Sequence, residues 1–110
     1  MAIISKFPVR FLHVSLGTTV ENLIDLGVTD DEIKQSDIIL ITPQSAGIYY
    51  TVADPDSIST LGVPDFPTTT AGHYIASKST ATIVSKVLIR NLMLIAEAGT
   101  TNVSITLLKL

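Results

Sequence analysis

Cysteine is absent from this chain of 110 residues, so no disulfide can stabilise the fold and no thiolate can bind a metal. Charge is also scarce, because Asp, Glu, Lys and Arg together make up 15% of the residues, against about 25% in an average soluble domain. No apolar run approaches the ~18 residues that a membrane-spanning helix requires. Arg90 and Asn91 interrupt the longest candidate. We therefore expect no spanning segment and no membrane partner.

Positive charge is too sparse for a nucleic-acid-binding protein. The chain has seven Lys and Arg and a formal net charge of −3, and they form no basic stripe, whereas phosphate binding depends on clustered positive charge. The start of the chain has neither a continuous apolar segment nor a small-x-small cleavage site. We therefore expect no nucleic-acid partner and no signal peptide.

Aliphatic residues are what the chain has in abundance. Hydrophobic residues make up 46% of it, aromatic residues only 5%, and the mean hydropathy is +0.49. Most of the hydrophobic residues are Ile, Val and Leu, and Thr is also frequent. β-Branched side chains favour strands over helices. A chain of this length forms one domain, residues 1–110, with a single modest core.

The apolar pattern predicts a series of short strands. Residues 7–16, FPVRFLHVSL, alternate between aliphatic side chains on one face and other residues on the opposite face. Residues 37–43, DIILITP, form a continuous apolar run that is typical of a core strand. Residues 48–52 alternate again, and we predict a hairpin between these two segments. A second, closing hairpin is predicted over residues 91–110, with positive φ at Gly99 in its turn.

One stretch alone favours a helix. Thr29 is a candidate N-cap, and Glu32 three residues later completes a capping box. Residues 20–27 are interpreted as a second short strand and residues 73–89 as one or two more, whereas residues 54–72 hold three of the five prolines and predict a long loop. The sequence therefore predicts an all-β fold: a single β-sandwich or jelly-roll-like domain with one short helical turn and a long Pro-containing loop.

Few residues are available for catalysis or metal binding. The two histidines, His13 and His73, lie far apart on strand-like segments, where ordinary hydrogen bonding is expected rather than acid–base catalysis. Asp54, Asp56 and Asp65 are an alternative as calcium ligands, but a proline-stiffened turn accounts for them without an ion. No Ser-His-Asp order, glycine-rich phosphate loop or metal-ligand spacing is present. We predict no catalytic residue, no cofactor and no metal, and hence no enzyme.

Three tyrosines raise the alternative of a carbohydrate-binding module. Tyr49 and Tyr50 are neighbours in one predicted strand, so their side chains point to opposite faces. At most one of them can join Tyr74 in a platform that stacks on sugar rings, and the other is expected to pack in the core. The low aromatic content weighs against this alternative.

Three segments carry a resemblance to a known group of proteins. They are FLHVSLGTTVENL at residues 11–23, DIILITPQSAGIYYTV at residues 37–52 and NLMLIAEAGTTNVSITLLKL at residues 91–110. In these segments the chain resembles small virion proteins of tailed bacteriophages, in particular jelly-roll capsid decoration or cementing proteins. Many related virion proteins have a strand where this chain has SISTLGVPDFPTTT, at residues 57–70. The strand topology around residues 54–72 is therefore left open.

The resemblance implies a structural virion protein on the capsid exterior, made in the host cytoplasm. Such a protein binds across major capsid protein subunits, stabilises the head and associates with itself as a dimer or trimer. This role accounts for the apolar composition, because assembly covers surfaces that are unfavourable on a free monomer. The alternatives are a head-completion, connector or tail protein of the same particle, or a carbohydrate-binding module.

Residues 1–7, MAIISKF, are predicted to form an arm that docks on a neighbouring subunit. A free terminus this apolar needs a covering surface. Pro8 interrupts backbone donation after the arm, so the arm and the following strand can belong to different sheets, and an extended arm can add a strand to a partner's sheet edge. The predicted partner-binding residues are Met1, Ile3, Ile4 and Phe7.

Overall fold

The computed structural model describes residues 7–52 and 72–110. Within those ranges the chain is mostly extended, and the prediction of an all-β fold is confirmed. Its strands are β1 (Phe7–Leu16), β2 (Glu21–Asn22), β3 (Ile38–Pro43), β4 (Ile48–Val52), β5 (His73–Ile75), β6 (Ala81–Val84), β7 (Leu92–Ala96) and β8 (Thr101–Lys109). Its helices are α1 (Asp30–Gln35) and α2 (Lys86–Arg90).

The strands form two antiparallel sheets. Sheet A has the order β1-β8-β3-β6, and sheet B has the order β2-β7-β4-β5. The first strand pairs with the last and the second with the second-last, and this continues inward: β1 pairs with β8, β2 with β7, β3 with β6 and β4 with β5. This nested pairing is the strand order of a jelly roll, in which one long antiparallel ribbon folds over into two packed sheets.

Aliphatic side chains fill the space between the two sheets. Burial alternates along β8, where every second residue from Thr101 to Leu107 points inward, as a period of two requires. At ~25 cal/mol per Å² of apolar surface, this core is the main stabilising term of a chain without disulfides. The fully buried aliphatic residues at its centre are Leu16, Ile39, Ile41, Ile48, Leu92, Leu94, Val103, Ile105 and Leu107.

The first and last strands of the described chain pair along their whole length. Phe7 already lies in this ladder, opposite Lys109, and a register shift between Pro8 and Arg10 makes a β-bulge. A bulge on an edge strand is a position where an antiparallel sheet tolerates proline. Phe7 and the rest of β1 therefore lie in one sheet, although Pro8 would also have let them belong to different sheets. Residues 1–6 lie outside the described ranges.

Both predicted hairpins are wrong. β3 and β4 lie in different sheets, as do β7 and β8, so the connections at residues 44–47 and 97–100 cross from one sheet to the other. The local sequence shows that the chain reverses direction at these connections. Buried and exposed side chains alternate in the same way whether the returning strand pairs beside the first strand in a hairpin or packs opposite it in the other sheet. Gly99 has the predicted positive φ, +57°, although its turn joins the two sheets.

The predicted helix is confirmed together with its capping box. Thr29 Oγ1 accepts a hydrogen bond from the Glu32 backbone N–H at 3.2 Å, and Glu32 Oε1 accepts one from the Thr29 N–H at 3.0 Å. The second helix, α2, occupies residues that were predicted to be extended. Ser85 begins it by accepting a hydrogen bond from the Leu88 N–H at 3.3 Å, and its Ile89 is fully buried in the core.

Two further expectations have different outcomes. Of the second strand predicted at residues 20–27, only Glu21–Asn22 pairs, and residues 23–27 form turns. Residues 73–89 were predicted to form one or two strands, and they contain two, β5 and β6. The predicted Pro-containing loop lies outside the described residues except for Gly72.

Candidate functional site

The outward side of sheet A is built from residues that lie in register across four strands. Paired residues on antiparallel strands point to the same side of a sheet. The outward residues are Pro8, Phe11, His13 and Ser15 of β1, Asn102, Ser104, Thr106 and Leu108 of β8, Ile38, Leu40 and Thr42 of β3, and Thr82 and Val84 of β6. None of them is Asp, Glu, Lys or Arg, and we call this surface the neutral face.

One half of the neutral face is mostly apolar, with Thr106 and Thr82 as its polar members. Leu108, Ile38 and Val84 form a continuous row across β8, β3 and β6, and Phe11 and Leu40 belong to the next row. Phe11 is 59% exposed and Val84 is 62% exposed, whereas Ile38 between its neighbours is 4% exposed. Large apolar side chains that are exposed together on one surface are typical of a contact with another molecule.

The other half of the neutral face carries uncharged hydrogen-bonding groups. Ser104 Oγ lies 2.9 Å from His13 Nδ1 and accepts a hydrogen bond from Gln44 Nε2 at 3.0 Å. Thr42 Oγ1 on β3 lies 2.7 Å from Oγ1 of Thr80, the residue before β6. This half therefore offers hydroxyl, amide and imidazole groups to a contacting surface without formal carboxylate or ammonium charge.

The Ser104 and His13 contact is explained by strand pairing. The two residues lie directly opposite each other on β8 and β1, where short polar side chains commonly hydrogen-bond. His13 approaches Ser104 through Nδ1, whereas the base of a serine hydrolase uses Nε2 and keeps Nδ1 for an orienting carboxylate. His73 lies in sheet B, so the two histidines are not brought together on one sheet. We assign them no catalytic role.

Two of the three tyrosines meet on the outward side of sheet B. Tyr49 and Tyr74 are register partners on β4 and β5, and their ring centroids are 5.0 Å apart. Tyr50 packs against the core and lies beside His73, with ring centroids 5.1 Å apart. The prediction that Tyr49 and Tyr50 point to opposite faces is therefore confirmed.

The Tyr74 side chain is held against the connection at residues 44–47. Its hydroxyl donates a hydrogen bond to the Glu97 carboxylate, which raises the pKa of Tyr74 above its usual range. Glu97 also accepts a hydrogen bond from the Gly47 N–H at 3.2 Å. The Tyr74 ring occupies the space that a Cβ of residue 47 would need. Glycine at this position therefore leaves room for an ordered, half-exposed tyrosine.

Within residues 7–52 and 72–110, no group of three or more His, Cys, Asp or Glu side chains could hold a metal ion. Neither described helix is long and apolar enough to cross a membrane. Phe7 is placed at the start of β1, and its role in partner binding stays a prediction. Outside the described residues lie the alternative calcium ligands and the other predicted partner-binding residues, namely Asp54, Asp56, Asp65, Met1, Ile3 and Ile4.

Sequence reasoning missed the neutral face as a whole. The alternation in residues 7–16 identifies the outward residues of β1, but the contributions of the other strands depend on which strands are neighbours. A useful signal was present, because the outward positions of each core strand hold no charged residue.

In comparisons with known proteins, no protein-family model, no curated protein and no solved structure matches the chain.

Proposed function

We propose that the protein is a structural virion protein of a tailed bacteriophage, a capsid decoration protein that binds across major capsid protein subunits on the exterior of the head. The neutral face is the observation that supports this role most strongly. A whole sheet surface without a charged side chain, with Phe11 and Val84 largely exposed, is unfavourable in water. In a particle, neighbouring subunits cover such a surface and gain from its burial.

The proposed mechanism is mechanical. Each copy bridges neighbouring coat subunits and adds contact area that resists the pressure of the packaged DNA. Burial of apolar surface contributes at most ~25 cal/mol per Å², reduced by the cost of association. Repetition over the lattice lets many modest contacts act together. A disulfide-free jelly roll suits this task, because its two sheets are held by one continuous aliphatic core.

Copy number in the particle tests this proposal against its closest alternative. Particles produced by the genome that encodes the chain are purified, and their proteins are counted by quantitative mass spectrometry. Hundreds of copies support decoration of the head lattice. About six or twelve copies instead support a ring-shaped connector or tail component, because such rings have closed cyclic symmetry. Absence from the particle overturns the virion role.

The arm prediction has a test that spares the domain. Deleting residues 1–6 leaves β1 complete, because this strand begins at Phe7. If Met1, Ile3 and Ile4 dock on the capsid, the shortened chain keeps its melting temperature within a few degrees while its occupancy on heads falls sharply. Unchanged occupancy, or loss of the folded monomer, contradicts the docking role.

The Tyr49 and Tyr74 pair favours a second candidate, a carbohydrate-binding module. Tyr74 is 50% exposed, its ring is ordered by contacts with Glu97 and Tyr49, and aromatic rings of this kind can stack on the apolar side of a sugar. Titration of oligosaccharides against the full chain tests it. Binding that is lost in Tyr74→Ala but retained in Phe11→Ala supports this candidate, and no binding by the unaltered chain excludes it for the sugars tested.

A further inference from the structure

We infer that His13 makes the docking of the neutral face sensitive to pH: the face binds while His13 is neutral and is released when the imidazole takes up a proton. This inference rests on the proposed docking of the neutral face on coat subunits, and it adds how that contact is regulated. Three features support it: the uncharged surroundings of His13, the hydrogen bonds that end at its ring, and the loss of water on docking.

Among the outward residues of sheet A that the structure describes, His13 is the one titratable side chain. Imidazole is the side chain whose charge ordinarily changes between about pH 5 and pH 8. The side chains next to His13 on the same side of β1 and β8 are uncharged, namely Phe11, Ser15, Asn102, Ser104 and Thr106. A fall in pH therefore adds a charge to a surface that otherwise has none.

The charged residues of the neighbouring elements face other surfaces. Arg10 lies on the inward side of β1, where it pairs with Glu32 of α1 at 3.1 Å, and Lys109 of β8 lies opposite the first residue of β1. Lys78, in the turn before β6, bonds through its backbone N–H to the end of β3, and β8 lies between β3 and β1. The Glu97 carboxylate is engaged by a tyrosine of sheet B. Within residues 7–52 and 72–110, a proton taken up by His13 thus meets no paired carboxylate.

A chain of hydrogen bonds favours the neutral form of His13. Gln44 Nε2 donates to Ser104 Oγ at 3.0 Å and lies 3.5 Å from the Thr42 carbonyl oxygen, which accepts from the same amide group. Ser104 Oγ lies 2.9 Å from His13 Nδ1, so the hydroxyl that accepts from Gln44 donates its own proton to a neutral imidazole. This order places the imidazole proton on Nε2. A charged ring donates from Nδ1 instead, which turns the Ser104 hydroxyl proton away from it.

Docking removes water from the His13 ring. The ring is exposed in the free chain, where water solvates the neutral and the charged form alike. Under a coat subunit the neutral ring keeps its bond to Ser104 and offers the Nε2 proton to the contact, whereas a charged ring is buried without a counter-charge from this chain, which is costly. The free chain therefore binds more protons than the docked chain, and affinity falls as pH falls.

Binding of the full chain to heads that lack it tests the inference, with heads purified from the encoding genome after deletion of this gene. We expect the dissociation constant to rise about tenfold between about pH 7.5 and about pH 5.5, since excluding one proton from a group that titrates near 6.5, as imidazole ordinarily does, has that effect. His13→Gln stays neutral and keeps an amide donor, so its affinity should be the same at both pH values. His13→Lys is charged at both and should bind about tenfold more weakly at the higher pH. His73→Gln is the matched control, because His73 lies in sheet B, and it should respond to pH as the unaltered chain does.

A pH response that His13→Gln retains overturns the inference, because groups elsewhere, including those of the coat, then cause it. Equal binding at both pH values, or tighter binding at the lower pH, by the unaltered chain overturns it as well. In each of these cases tight binding near pH 7.5 leaves the proposed function standing, whereas no binding at any pH removes the docking role and the inference together.

Nitrogen NMR of the His13 ring in the free chain is a second readout that needs no heads. The ring should gain its proton over the same pH range and, while neutral, should carry its single proton on Nε2. A ring that stays neutral throughout, or a neutral ring protonated on Nδ1, overturns the inference. Circular dichroism of each variant at both pH values checks that the fold is kept.

Discussion

At the scale of single residues, Thr101 is the polar side chain on which the connection at residues 44–47 depends. It is 1% exposed at the start of β8. Its Oγ1 accepts hydrogen bonds from the Ala46 N–H at 3.1 Å and the Ser45 N–H at 3.2 Å, and it donates to the Ala46 carbonyl at 3.1 Å. One hydroxyl thus satisfies backbone groups that β-sheet pairing does not reach.

We expect Thr101→Val to destabilise the protein by on the order of 3 kcal/mol, because valine keeps the shape but leaves part-buried backbone donors without a partner. Urea unfolding measures the change. Thr106→Val is the control on the same strand, since Thr106 points outward onto the neutral face, and its effect should stay within about 0.5 kcal/mol. Equal losses in the two variants would show that the hydroxyl of Thr101 has no special role.

Gly47 and Tyr74 give a prediction about pKa. A Cβ at position 47 would occupy the space of the Tyr74 ring, so Gly47→Ala should displace the ring from Glu97. The hydrogen bond to the carboxylate favours the protonated phenol, and its loss should lower the pKa of Tyr74 towards the ordinary value of 10.0. Ultraviolet titration, with Tyr74→Phe to assign the signal, measures this. A pKa that stays raised in Gly47→Ala would contradict the proposed contact.

At the scale of elements, α1 is joined to the sheet through its capping residue. Glu32 accepts hydrogen bonds from Arg10 Nη1 at 3.1 and 3.2 Å, in addition to closing the capping box with Thr29. The backbone N–H of Thr29 is the largest cause that lowers the pKa of Glu32, and Arg10 lowers it further. One carboxylate therefore connects helix capping with the position of α1 on β1.

The lowered pKa of Glu32 predicts a pH dependence of stability. A carboxyl whose pKa is lower in the folded state stabilises the fold above its unfolded value, about 4.3, and this contribution is lost as pH falls through the folded pKa. We expect Glu32→Gln to be less stable than the unaltered chain at pH 7, with a difference that shrinks towards zero at lower pH. Urea unfolding from pH 7 to pH 3 measures it. A pH-independent difference would assign the effect to shape rather than charge.

At the scale of the whole molecule, the nested pairing predicts where the fold is most protected. β8 and β3 have neighbours on both sides in sheet A, as do β7 and β4 in sheet B, whereas β2 and β5 lie at edges and are short. Native-state hydrogen exchange should therefore be slowest for amides of the four central strands and fastest in β2 and β5. Fast exchange of the β8 amides would contradict this order, because β8 lies between β1 and β3 in sheet A.

Local sequence determined the features whose physical cause is local. The capping box begins α1 at a defined residue because Thr29 and Glu32 satisfy each other's backbone groups. Alternation marked the buried face of β1, and the apolar run marked β3, because a strand in a sandwich must bury one side. The class of fold followed from these strands. The segment containing α2 was misread because five helical residues are too few to show a helical period.

Tertiary structure alone decided which strands are neighbours, and the candidate site depends on that decision. A chain reversal at residues 44–47 suits a hairpin as well as a crossing between sheets, and only the pairing of β3 with β8 and β6 selects the crossing. The neutral face exists because four distant segments are placed side by side, so that Phe11, Leu40 and Val84 share one surface. Sequence by itself determined that each segment lacks outward charge. It did not determine their adjacency, because strand pairing is a long-range choice made by burial of the common core.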